Sequence, residues 1–189
     1  MKFEDVVDYV RTKSGIRIIL DDGFLTHPEI HFSIRMELSM FGWHAVYISP
    51  DNDETSSYGV GEMLLMNQRS RLVQENPWRC LFHELAHATG KSYVFNRPVI
   101  ANRHYDFLEQ AHYAAVEELI ADHAAIIVLR ALGISDARVE ASHVLYVNDY
   151  LLKINEHMAS ADPSVIEREA RRAADYILTN WLPGGLNVA

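Results

Sequence analysis

Pro77-Trp78-Arg79-Cys80-Leu81-Phe82-His83-Glu84-Leu85-Ala86-His87-Ala88-Thr89-Gly90 is the most informative run in the chain. Proline suits the first position of a helix, glycine the position just past its end, and Asn76 ahead of the proline is a natural N-cap. One helix is expected between them. Within it stands an H-E-x-x-H pattern, His83-Glu84-Leu85-Ala86-His87. Four helical steps turn through about 400°, so the two imidazoles leave the same face one turn apart. Two ring nitrogens so placed can meet one tetrahedral Zn²⁺, each at roughly 2.0–2.1 Å. Glu84 follows the first ligand and reaches a water on the metal rather than the metal, which suits a general base. Phe82, Leu85 and Ala86 make the rest of the helix apolar, and polar groups on a partly buried element are costly without partners.

Two histidines leave a third ligand to be found. The longer pattern H-E-x-x-H-x-x-G-x-x-H is matched at Gly90 but ends on Tyr93. Neutral tyrosine is a poor zinc ligand, so that metzincin arrangement is rejected. The better source is Val116-Glu117-Glu118-Leu119-Ile120-Ala121-Asp122, inside an alanine-rich helix expected from about Asp106 to Leu132. Glu118 shares a helical face with Ala111, Ala115, Asp122 and Ala125, whose small side chains would let this helix approach the histidine helix closely. Glu117 projects about 100° away, toward solvent or a charge partner. The expected arrangement has Glu118 as third ligand and Asp122 as hydrogen-bond acceptor for a ligand histidine.

The rest of the chain supplies a frame. The 189 residues suit one domain, 49% apolar and 23% charged. Seventeen basic against 26 acidic residues give a net charge of −9, which makes nucleic acid a poor direct ligand. A single cysteine, Cys80, excludes an intrachain disulfide and a cysteine-only zinc cluster. The N-terminal Met1-Lys2-Phe3-Glu4-Asp5 lacks the pattern of a signal peptide, and the longest apolar run, Ala124 to Leu132, is too short to cross a bilayer. A soluble, cytoplasmic protein is expected.

The periodicity predicts an amphipathic helix over 3–12 and a strand from Ile16 to Leu20 closed by Asp21-Asp22-Gly23. A helix from Glu29 to Met40 and strands over Trp43–Ile48 and Met63–Met66, paired as a hairpin, follow. Beyond Asn76 the chain reads as helical. After the two helices above, Ser135-Asp136 caps one to about Met158. Asp162-Pro163 caps a last one, whose Ile166, Ala170, Ala173, Ile177 and Trp181 share a face. The expected class is α+β, with a sheet-bearing portion over 1–75 and a helical portion over 76–182 that carries the metal site, together one domain over 1–189.

These segments carry a resemblance. Leu81 to Gly90, Asn96-Arg97 and Glu117-Glu118-Leu119-Ile120-Ala121-Asp122 resemble the metal-binding segments of the ArdC-type antirestriction proteins, whose catalytic domain is a zincin-like metallopeptidase. Tyr47-Ile48-Ser49-Pro50, Met66-Asn67 and Arg172-Ala173-Ala174-Asp175-Tyr176 extend the likeness over roughly residues 43–180. Carried over by position, it implies His83, His87 and Glu118 as zinc ligands and Glu84 as the catalytic acid. Lys91 stands where that family usually has a histidine, and the chain is expected to lack its N-terminal single-stranded-DNA-binding domain. Related zincins of the ImmA/IrrE kind cut repressors, which implies a specific protein or peptide substrate. The rival from another class is a metal-stabilised antirestriction factor that acts by binding, its acidic surface imitating DNA.

Other motifs weigh less. Asp51, Asp53, Thr55, Ser57, Gly59 and Glu62 match positions of a calcium loop, but Ser56 stands where that loop needs glycine, so a polar hairpin loop is preferred. Cys80 reads as a small core residue. One of Tyr93, Arg97, His104, His112, Tyr113 and His123 is a candidate to stabilise an oxyanion, but each taken singly reads as structural and the sequence does not choose among them. Arg168, Arg171 and Arg172 read as a solvated helix face.

Overall fold

The structure is a computed structural model that describes residues 2–21, 45–48, 63–67, 77–91, 94–97, 107–134, 144, 147–148 and 162–182. The first helix, α1 (Phe3–Ser14), buries Val6, Val7 and Val10. Its first turn holds Glu4 and Asp5 and its last Arg11 and Lys13, charges that complement the helix dipole. Gly15 takes the left-handed conformation (φ 73°) and closes the helix, its N–H bonded to the Arg11 carbonyl at 3.2 Å.

Three strands follow: β1 (Arg17–Asp21), β2 (Ala45–Ile48) and β3 (Met63–Asn67). The sheet order is β1-β3-β2. The expected hairpin pairing is present, since β2 and β3 run antiparallel from Ala45↔Met66 to Ile48↔Met63. On its other edge β3 pairs in parallel with β1, Ile18 opposite Leu64. As the central strand, β3 buries Met63, Leu64 and Met66, so residues that point to both faces of the sheet are enclosed.

Helix α2 (Pro77–Ala88) begins on its proline and packs against β2 and β3 on one side and the next helix on another. Leu81, Phe82, Leu85, Ala86 and Ala88 are fully enclosed. Trp78 locks its start, meeting the Phe3 ring edge-on at 5.0 Å and stacking near Phe82 at 6.2 Å.

Helix α3 (Phe107–Ala131) lies between α2 and the last helix. Leu119, Ile120, Ala121, Ala124, Ala125, Ile126, Val128 and Leu129 are buried around its whole circumference, the pattern of a central helix. It ends at Gly133 (φ 67°), beyond which the Ile134 N–H reaches the Leu129 carbonyl at 3.0 Å.

Helix α4 (Pro163–Tyr176) is capped as expected, the Asp162 side chain accepting from the Ser164 N–H at 2.9 Å. It runs on into a π-helical turn, Ile177–Trp181. The expected stripe of Ile166, Ala170, Ala173, Ile177 and Trp181 is buried throughout. On the opposite side Arg171 pairs with Glu167 at 2.6 Å, and Arg168, Arg171 and Arg172 are exposed.

Cys80 belongs to the core. Residues 144, 147 and 148 are helical, within the span of the helix expected after Ser135. The remainder of that helix, the Glu29–Met40 helix, the Asn76 cap and the 51–62 loop lie outside the described residues. No helix among the described residues is long and apolar enough to cross a membrane. The architecture is the expected α+β: a small sheet in the first portion and stacked helices after it.

Candidate metal centre

The site is made by two helices and the turn that follows the first. On α2, His83 and His87 stand one turn apart, their rings edge to face with centroids 4.8 Å from each other. Their Nε2 atoms are 3.1 Å apart. Glu118 enters from α3, with Oε2 at 3.2 Å from the His83 Nε2 and Oε1 at 3.4 Å from the His87 Nε2. Three ligands on a tetrahedral zinc at roughly 2.0–2.1 Å are held about 3.3–3.4 Å from one another. The two Nε2 atoms, 3.1 Å apart, and the Glu118 carboxylate, with one oxygen near each of them, gather close to that edge length, and one ligand atom from each residue lies within 4.8 Å of the others. Among the described residues, His83, His87 and Glu118 are the group placed to hold a metal ion.

A zinc ligand histidine must point a lone pair at the metal, so its other nitrogen carries the proton and wants an acceptor. Each ring has a carboxylate on that side. The His87 Nδ1 lies 3.1 Å from Oε1 of Glu117, and the His83 Nδ1 lies 3.9 Å from Oδ1 of Asp122. The second distance exceeds a hydrogen bond and orients the ring by charge. Asp122 is fully buried and is held in turn by the Arg79 guanidinium. Donor chemistry, spacing and tautomer control fit zinc, and the three ligands found among the described residues are the number that a catalytic zinc site takes from its protein.

Of the two expectations for Glu117, solvent or a charge partner, the structure shows the charge partner. Glu117 sits about 100° from Glu118, as expected, yet it does not face solvent: it is 3% exposed. Its partners are His87 and the forked Arg97 guanidinium, which donates from Nε to Oε2 at 2.7 Å and from Nη2 to Oε1 at 2.6 Å. Glu118, the expected ligand, has the more open side chain at 24%. The signal for Glu117 was its charge-partner alternative, but nothing in the spacing named Arg97.

Arg97 is also removed from the oxyanion candidates. Besides Glu117 it donates to Oγ1 of Thr89 and the Ala86 carbonyl, all inside the protein. His123 is half-buried, and its Nδ1 donates back to the Leu119 carbonyl at 2.9 Å. Tyr113 is half-buried, while Tyr93, His104 and His112 lie outside the described residues. Glu84 is buried on α2 at 8% exposure and is not one of the three converging ligands.

Electrostatics tie the group together. Burial opposes charge on His83, but the Asp122 and Glu118 carboxylates prevail and raise its pKa to about 9. Burial opposes charge on His87 as well, and Glu118 with Glu117 lifts it well above the ordinary histidine value. Burial pushes Glu118 up, yet His87 and His83 hold it well below the ordinary carboxylate range. Glu117 is likewise lowered against burial by Arg97 and His87. A cation is strongly favoured at this point, whether protons or a metal.

Comparison with known proteins places the site in a family. The model of the zincin-like metallopeptidases matches residues 53–171, a span that holds both ligand-bearing helices. No curated protein and no solved structure matches the chain. With the match covering well over half of its length, the chain belongs to the zincin-like metallopeptidase family.

Proposed function

We propose that the protein is a zinc-dependent peptidase that hydrolyses a peptide bond in a specific protein partner. His83, His87 and Glu118 hold the metal and Glu84 moves the proton. The observation that supports this best is the convergence of two Nε2 atoms and a carboxylate within 3.1–3.4 Å of each other. A zinc ion bound there supplies Lewis acidity to the scissile carbonyl and lowers the pKa of a water. Glu84 follows His83 on the same helix, and its carboxylate takes the proton of the attacking water and returns it to the departing amine. Glu118 and His83 keep 24% and 13% of their side-chain surface exposed, so an extended substrate can reach the centre. The net charge of −9 favours a protein partner over a nucleic acid.

The same charge favours a second reading, an antirestriction factor that binds its target through an acidic surface while the metal only stabilises it. One substitution separates the two. Glu84→Gln keeps shape and removes the proton acceptor, so zinc content should stay unchanged while cleavage falls by ~10² to 10⁴. Wild type and Glu84→Gln are expressed in a restricting host and challenged with unmodified phage DNA, and new protein termini are sought across the proteome. Termini that appear with wild type and vanish with Glu84→Gln support the peptidase, whether the target is a restriction component or a repressor. Protection that survives the substitution, with no new termini from wild type, overturns it.

A further inference from the structure

Each ligand histidine is backed by a carboxylate, and each carboxylate by an arginine: His87–Glu117–Arg97 and His83–Asp122–Arg79. The first chain is the shorter and better defined. From it we propose that Arg97 is a positioning residue of the metal centre, acting through Glu117 to hold the His87 ring with Nε2 toward the metal. This rests on the zinc reading above and deepens it.

The argument starts from what a buried carboxylate needs. Glu117 is 3% exposed, and a carboxylate with that little solvent turns to whichever donors surround it. Arg97 supplies two parallel N–H groups, at 2.7 and 2.6 Å, which fix the carboxylate plane as well as its position. With the plane fixed, Oε1 stands 3.1 Å from the His87 Nδ1. The Nδ1–H must donate there, and the Nε2 lone pair is left for the metal.

The guanidinium does a second thing that a lone cation would not. It donates from Nη2 to the Ala86 carbonyl at 2.6 Å and from Nη1 to Oγ1 of Thr89 at 2.8 Å. Ala86 directly precedes His87 in the last turn of α2, and its carbonyl also accepts from the Thr89 N–H at 3.1 Å and the Thr89 hydroxyl at 2.7 Å. Arg97 thus joins the backbone that carries His87 to the α3 residue that aims its ring. The turn itself is placed by the Arg97 N–H on the Gly90 carbonyl at 2.8 Å, with Asn96 at a φ of 50°. Lysine, a point charge on a flexible stem, cannot fork to one carboxylate and reach the helix end together.

The test measures Zn²⁺ affinity by competition with a chromophoric chelator, for wild type, Arg97→Lys, Arg97→Gln, Glu117→Gln and the double variant Arg97→Gln/Glu117→Gln. Thermal unfolding of each metal-stripped protein and the visible spectrum of each cobalt-loaded form are recorded alongside. Each single substitution should weaken zinc by about 10- to 100-fold, the usual effect of losing a partner behind a ligand. The double variant should fall far short of the product of the two single losses, because Arg97 acts mainly through Glu117. The cobalt spectra of Arg97→Gln and Glu117→Gln should shift alike. A purely structural Arg97 would instead lower the melting temperature and leave zinc affinity unchanged, which overturns the proposal. So would losses that multiply in the double variant. Should Arg97→Gln fail to fold, Arg97→Lys and the near-isosteric Glu117→Gln decide, and wild-type affinity in either overturns the proposal. A wild type that binds no zinc overturns the underlying metal-centre reading, an outcome distinct from wild-type binding with unaffected variants.

Discussion

Zinc and protons compete for the same nitrogens, and the structure sets the terms of that competition. Burial disfavours charge on His83, but Asp122 and Glu118 raise its pKa from 6.5 to about 9. At pH 7, two units below that value, the protonated ring outnumbers the neutral one by about 100 to 1 in the metal-stripped protein. Zinc requires the neutral ring, so it binds about 100-fold more weakly there than to the deprotonated site. An unshifted histidine would weaken binding at pH 7 by less than about twofold. Apparent zinc affinity should therefore rise about tenfold per pH unit between pH 7 and 8.5, with His87 adding to the slope because it is raised too. Calorimetric titration at pH 7.5 in buffers of different ionisation enthalpy should count at least one proton released per zinc.

The same shift has a stability consequence with a definite sign. The folded pKa of His83 lies above its unfolded value, so its contribution is complete below pH 6.5 and is lost as pH rises through about 9. The metal-stripped protein should melt at progressively lower temperature across that window, on the order of 3 kcal/mol being lost through His83 alone and more through His87, which is raised as well. The zinc-loaded protein should be flat there, since the metal rather than a titrating proton holds the Nε2 atoms. Zinc affinity that is constant from pH 7 to 8.5, with no proton release, would refute the reasoning.

Two further outcomes follow from the geometry. Glu118→Ala removes the oxygen donor that closes the triangle with His83 and His87, and metal analysis should find zinc lost on dialysis where Glu117→Gln retains it in reduced affinity. Phe82→Ala empties a fully buried position between α2 and its neighbours, and chemical denaturation should show a loss of about 3–5 kcal/mol with no change in zinc stoichiometry in the folded fraction.

The parts of this site that were readable from the chain are those governed by helical geometry. His83 and His87 are four residues apart on one helix, and Glu118 and Asp122 are four apart on another, so period alone brings each pair to a common face. The stripe from Ile166 to Trp181 was readable for the same reason, even though its last turn widens into a π-helix. Glu117 shows where period stops helping. The direction of its side chain was correct, but α3 is enclosed around its circumference, so a turn of about 100° leads to another interior surface and not to water. Arg97 lies ten residues beyond His87 in an irregular turn, and no spacing rule links such a residue to a helix that begins at Phe107. The parallel pairing of β1 with β3 was equally hidden, since it depends on how the chain crosses between residues 21 and 63.

The charge pattern on α3 makes sense only when the whole assembly is considered. A helix otherwise apolar along its buried length carries three carboxylates within six residues, Glu117, Glu118 and Asp122. Burying that much negative charge is strongly unfavourable unless each group is answered. Arg97 answers Glu117 and Arg79 answers Asp122, each by direct hydrogen bond. Glu118 faces the two histidines, whose rings are aimed by the other two carboxylates. Two acids are therefore neutralised by fixed cations and serve as orienting acceptors, while the third converges with two neutral nitrogen donors. Such a group presents about one unit of negative charge to a divalent ion, which binds it without complete neutralisation and keeps its Lewis acidity. A carboxylate count that looks excessive for a core helix is thus accounted for, two acids orienting the histidines and the third facing them across the position fit for a metal ion.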